Sequence, residues 1–153
     1  MARGQDQIFF TVGVFQDTEW ANRGIEALRS HGFTTEELSF LAKHTPEAAA
    51  LAEKTFGVPG SSVEVSGLGT TVAYGQLVGT LQGGDEGLGR SGVGATMRRA
   101  GFQAHDGFIF ETLTARGGIL VAIESEPRAA DALAIMHSFG GGNAAIGAWK
   151  GRV

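Results

Sequence analysis

The apolar positions of this chain fall into short runs whose period switches between two and about 3.6. Ile8–Phe15 (IFFTVGVF) is apolar in both alternating sets, with Phe10, Val12 and Val14 on one side and Phe9 and Phe15 on the other. A strand of that kind is buried on both faces. Asp17 follows as an N-cap, and Thr18–His31 reads as a helix with Ala21, Ile25 and Leu28 on one face and Gly32 at its end. Leu38–Lys43 is a second strand. Thr45 as N-cap, Pro46 at the first helical position and Glu47 in the first turn open a helix that runs through Phe56 and stops near Gly57. Ser61–Ser66 is a polar connection with room for a short strand. Asp106 is placed to cap a helix carrying Phe108, Thr112 and Leu113, which ends at Arg116-Gly117-Gly118. Ile119–Glu124 is a strand and Arg128–Phe139 a helix, terminated by Gly140-Gly141-Gly142. Asn143–Trp149 is the last predicted strand.

Two stretches of this series match. Strand, polar turn, helix, glycine and strand follow one another from Ile8 to Lys43, and again from Ile119 to Trp149. Two βαβ units in tandem predict an α+β fold of ferredoxin-like type: a four-stranded antiparallel sheet with both helices on one face. Residues 1–153 then form a single domain, with residues 45–118 inserted between the second and third strands. Ile8–Phe15 and Ile119–Glu124 are the expected central pair. Their second apolar face needs a cover, from the inserted helices, a partner subunit, or both.

Most of the glycine excess lies in the insert. Gly67, Thr71, Gly75, Gly79 and Gly83 recur every fourth residue and on a helix would form one stripe of small residues. Ser91 and Ala95, or Gly92, Thr96 and Ala100, repeat the spacing beyond a turn at Gly83–Gly87. The expectation is a helical hairpin whose backbones approach closely, or an oligomer contact through the same stripe, with a flexible glycine-rich loop as the competing reading. Each glycine weakens a helix by about 1 kcal/mol, so such a hairpin needs tertiary support.

Composition narrows the function classes. Hydrophobic residues make up 42% of 153, enough for a core. Glycine accounts for 25 residues, without the period of collagen. A net charge of −4 argues against nucleic acid and anionic membranes as partners. The absence of cysteine excludes disulfides, thiolate catalysis and zinc–thiolate sites. No run approaches the roughly 18 apolar residues of a bilayer span; Leu68–Leu81 is interrupted by Thr70, Thr71 and Gln76. MARGQDQ leads into no signal-peptide core, and the expected location is cytoplasmic.

The stretches VGVFQDTEWANRGIEALRSHGF and FETLTARGGILVAIESEPRAADAL resemble the heat-induced general stress protein (YflT-like) family. The first is similar to that family's opening strand and helix. In the second, an aromatic-acidic helix leads through Arg-Gly-Gly into an apolar strand and a helix. Many relatives carry a glycine- and alanine-rich helical segment between the two. The resemblance implies a stress association and supplies no catalytic residues. The middle segment here is more polar than in relatives whose hairpin looks membrane-inserted.

Candidate chemistry is thin. Gly87-Leu88-Gly89-Arg90-Ser91-Gly92 matches G-x-G-x-x-G, with Glu111 further on, but follows a polar turn where a dinucleotide site needs a strand. His31, His44, His105 and His137 show no metal-ligand spacing. His31 and His137 end matching helices, where an imidazole satisfies terminal carbonyls. His105-Asp106 with Glu111 is the one acid–histidine cluster, and helix capping explains it more simply. Asp17, Glu19, Glu124 and Glu126 fall at helix starts; Trp20, Tyr74 and Trp149 read as core or interface aromatics. The expectation is a non-enzymatic, stress-associated interaction protein, with no catalytic, cofactor or metal residues, acting as a homo-oligomer. The alternative is a small-ligand sensor or binding module at a subunit interface.

Overall fold

Ile119–Glu124 is the strand around which the others are arranged. Five of its six residues are buried, Ile119 through Ile123, so both of its faces need cover. A computed structural model describes residues 10–124 and 128–140 of the chain. In order these form β1 (Phe10–Phe15), α1 (Thr18–Ser30), β2 (Leu38–Lys43), α2 (Pro46–Phe56), β3 (Ser61–Val65), β4 (Gly69–Tyr74), α3 (Gln76–Gln82), α4 (Gly87–Arg99), α5 (Ala104–Ala115), β5 (Ile119–Glu124) and α6 (Ala129–Ser138). The predicted strand Asn143–Trp149 lies outside the described residues, as do Ile8 and Phe9.

The fold is α+β, with a five-stranded, fully antiparallel open sheet in the order β1-β5-β2-β4-β3. Val121 stands opposite Gly13 on one side and Phe40 on the other. The predicted antiparallel pairing of the first strand with Ile119–Glu124 is present. Only β5 of that pair is central among the described residues, because β1 stands at one end of the order. The insert adds β3 and β4 beyond β2, so the sheet does not have the simple four-strand ferredoxin order.

Alternation divides the core between the two faces. Phe15, Leu38, Phe40, Ala42, Val72, Val121 and Ile123 meet Ile25 and Leu28 of α1, Leu51 and Ala52 of α2, and Met136 of α6. Val12, Val14, Leu41, Ala73, Leu120 and Ala122 meet Leu77 and Leu81 of α3, Leu88, Val93 and Met97 of α4, and Phe110 and Leu113 of α5. The second sheet face is therefore covered by the inserted helices of the same chain, the first of the covers anticipated from the sequence.

The helix ends expected from local chemistry are present at α1 and α2. Asp17 accepts from the Trp20 amide at 2.9 Å, and Thr45 Oγ1 from the Ala48 amide at 2.9 Å. Pro46 occupies the first turn of α2, and Gly57 closes it in the left-handed region. Such caps are each worth about 1 kcal/mol. At α5 the expectation needs correction. The helix begins at Ala104 with Gln103 as N-cap, and Asp106 lies inside the first turn without a capping bond.

The small-residue stripe is not one helix. Gly67 lies in the β3–β4 turn, Thr71 in β4, Gly75 at the start of α3, Gly79 within it and Gly83 at its end. The β-branched run Thr70-Thr71-Val72 favours a strand. Gly67, Gly69 and Gly75 adopt positive φ, which breaks any continuous helix through them. Gly75 is a genuine close approach: a Cβ there would lie 2.5 Å from the Leu38 carbonyl oxygen, at φ +108°. At Gly79 a Cβ would meet nothing within 4 Å. The close backbone crossing is instead between α4 and α5, where a Cβ on Gly107 would sit 2.9 Å from the Gly94 carbonyl oxygen.

One arginine holds the α3–α4 turn. Arg99 donates to both carboxylate oxygens of Asp85, at 3.1 and 3.0 Å, and to the Leu81 carbonyl at 2.8 Å. Gln82 Oε1 accepts from the Leu88 amide at 3.0 Å and so serves the first turn of α4. Glu86 takes φ 56°, the one non-glycine residue at positive φ among those described. The Arg99 guanidinium holds the Asp85 carboxyl below its ordinary range.

Two predictions follow from this packing. Gly75→Leu should cost more than about 2 kcal/mol, since it adds both strain and overlap. Gly107→Ala should cost about 1–3 kcal/mol, whereas Gly79→Ala should raise stability by about 0.5–1 kcal/mol. Urea unfolding of the three variants checks the ranking, and equal losses at Gly75 and Gly79 would contradict the strand-turn-helix path. For Asp85 the sign comes from linkage: a carboxyl with a lowered folded pKa stabilises fully above its unfolded pKa and loses that contribution as pH falls through the folded value. Unfolding curves collected from neutral to acid pH should therefore fall more steeply for the wild type than for Asp85→Asn. The difference will be small, because the pair is solvent-exposed.

Candidate functional site

Where α2 leaves the sheet, the α2-side face of β3 is left uncovered, while Val63 and Val65 on its other face pack into the second core. Ala48, Leu51, Ala52 and Thr55 face the core, which turns Ala49 and Glu53 toward the flank beside the β3–β4 hairpin. Phe56 fixes the end of α2 by stacking on Tyr74 of β4, centroids 4.0 Å apart, and by an edge contact to Phe40. The chain then returns through Pro59 and Gly60 into β3. At Gly60 it presses on β4 so closely that a Cβ would lie 2.7 Å from Val72 Cγ1.

These elements border a half-open cavity of about 320 Å³, at the lower end of the range that holds small molecules. Ala49, Pro59 and Val72 supply its apolar surface. Ser62 of β3 and Thr70 of β4, on the same side of the sheet as Val72, supply hydroxyls, while Glu53 and His44 bring the ionisable groups. The Thr71 hydroxyl is committed to the Val63 carbonyl at 2.8 Å, and that of Thr70 donates to Glu64. His44 is positioned by its backbone, whose amide donates to the Thr70 carbonyl at 3.0 Å. Among the described residues neither the Glu53 carboxylate nor the His44 imidazole makes a side-chain hydrogen bond or ion pair. The arrangement, apolar surface beside hydroxyls and a carboxylate, can hold a small polar molecule.

The positions singled out in the sequence lie elsewhere. Residues 87–92 of the G-x-G-x-x-G match form the first part of α4, after a helix and a turn, so the strand that a dinucleotide loop requires is not before them. Gly92 breaks that helix with φ 89° and ψ −179°. A Cβ there would fall 2.7 Å from Glu111 Oε2 and 3.0 Å from the Ser66 carbonyl oxygen. Glu111 thus lies against α4 backbone, while His105 is exposed one turn and more away on α5. His31 Nδ1 lies 2.8 Å from the Ala27 carbonyl at the end of α1, the terminal role expected of it. Trp20 carries Arg23 on its face, 5.0 Å from the ring centroid. Trp149 lies outside the described residues.

The cavity itself was not anticipated. In the sequence His44 is one of four histidines without ligand spacing, and Glu53, Ser62 and Thr70 belong to no local motif. Nothing short of the α2–hairpin packing brings them together. The chain matches no family model, no curated protein and no solved structure.

Two parts of the sequence candidates should respond differently to substitution. His105→Ala should change stability by less than about 0.5 kcal/mol, as at other exposed sites. Gly92→Ala should cost about 2 kcal/mol or more, because it strains φ and collides with Glu111 and Ser66. Thermal and urea unfolding of the two variants distinguish a buried crossing from an idle surface pair.

Proposed function

We propose that this protein is a non-enzymatic small-molecule-binding module of the general-stress type, and that its ligand occupies the cavity between α2 and the β3–β4 hairpin. The observation that carries the reading is the cavity: apolar surface from three residues, hydroxyls from two strands, and a carboxylate and an imidazole that no other described side chain engages. Self-association through the sheet face is the weaker route, since α3, α4 and α5 already occupy that face. Binding would take place within one subunit, not between two.

The same reading takes the β1-β5-β2 core as ferredoxin-like and residues 45–118 as an insertion into it. In its support, β5 lies antiparallel between two strands joined through α1, and α1 and α6 share one face. A relation to the heat-induced general stress family goes with this proposal.

A ligand-observed NMR screen of small metabolites against the wild type and Ser62→Trp tests the binding role. Ser62 is exposed on an edge strand, so an indole there blocks the cavity without entering the core. Compounds that bind the wild type and shift the amides of Ser62, Thr70 and Val72 should lose binding in Ser62→Trp. Hits that bind both proteins equally would remove the cavity from the proposal. A ligand at 100 times its Kd should also raise stability by about 2.7 kcal/mol.

A further inference from the structure

The register of the β3–β4 hairpin decides the charge of the cavity rim. Glu64 stands directly opposite Thr70. Side chains two apart on a strand share a face, so Thr70 lies on the same side as Val72, which packs in the core beneath α1 and α2. Glu64 therefore projects toward α2, where the Thr70 hydroxyl donates to its carboxylate. Glu53 reaches the same space from α2. The nearby lysines are engaged elsewhere: Lys54 donates to Asn22 at 2.8 Å and Glu26 at 2.9 Å of α1, and Lys43 to the Ala115 carbonyl at 3.1 Å. Among the described residues neither Lys nor Arg lines the cavity, and His44 is the one basic side chain there.

The geometry points to a small organic cation as the ligand: a primary amine on a compact apolar body. This rests on the binding role proposed above. A primary ammonium brings three donors and no acceptor. The cavity offers it the Glu53 carboxylate, which no other described side chain engages, the hydroxyl oxygens of Ser62 and Thr70, and the neighbouring charge of Glu64. Ala49, Pro59 and Val72 receive the apolar body. An anionic ligand would face the Glu53 carboxylate, with that of Glu64 beside Thr70 and no Lys or Arg among the described lining residues to offset them, and like-charge juxtaposition of that kind is a basis for rejection.

The test is an amide NMR titration of the full chain with three probes of one shape: benzylamine, benzyl alcohol and phenylacetate. Benzylamine should shift the amides of Gly60, Ser62 and Thr70 to saturation, with an affinity that falls as salt rises. Benzyl alcohol and phenylacetate should bind at least about tenfold more weakly, and Glu53→Gln should cost benzylamine about tenfold. Glu53 is exposed on α2, and unchanged amide shifts away from the cavity will verify that the variant is folded. Equal binding of benzyl alcohol, tighter binding of phenylacetate, or no loss in Glu53→Gln would overturn the cation assignment and leave the binding role standing. If none of the probes perturbs those amides, both fall.

Discussion

The two-sided burial of β5 is the constraint on which the rest of the molecule depends. Each large apolar side chain it removes from water contributes about 1.5–3 kcal/mol, but only if both faces are covered and both edges paired. β1 and β2 satisfy the edges, with Val121 held between Gly13 and Phe40. Helices α1, α2 and α6 satisfy one face, and α3, α4 and α5 the other. The insert is thus part of the core, and the sheet would expose a broad apolar surface without it.

Covering the second face with glycine-rich helices has a cost that packing offsets. Glycine gives α4 and α5 little intrinsic stability, yet it lets the Gly94 and Gly107 backbones meet where any side chain would separate them. Met97, Phe110 and Leu113 can then reach the sheet from helices that lie close together. The long polar side chains at the margins tie the layers: Arg99 closes the α3–α4 turn, and Lys43 satisfies a carbonyl at the end of α5. Arg128 does the same for α1, donating to the His31 carbonyl while lying 4.2 Å from the Phe33 ring centroid.

Much of this was legible in the sequence where local chemistry decides structure. β1 and β5 announced themselves by apolarity in both alternating sets, and α1 and α2 by Asp17, Thr45, Pro46 and Gly57. The stretch from Gly67 to Gly83 misled because a spacing of four is compatible with a helix whatever the backbone does. That Gly67 and Gly75 turn through positive φ is a property of the hairpin they bound, and no residue count reveals it. The cavity was illegible for a related reason. Glu53 and Thr70 become neighbours only when α2 is pinned by Phe56 on Tyr74, a contact between residues with no sequence relation.

The central place of β5 also orders the chain in time. β2, β4 and β3 can pair as soon as the insert's first half exists, because they are near neighbours in sequence. β1 has no such partner: its pairing with β5 joins Phe10 to Glu124, across nearly the whole described length. During synthesis β1 must therefore wait, apolar on both sides, until the strand that separates it from β2 has left the ribosome. Contacts of such long range slow folding and prolong the exposure of sticky surface. This topology leaves both apolar faces of β1 unpaired until the last strand of the described sheet arrives.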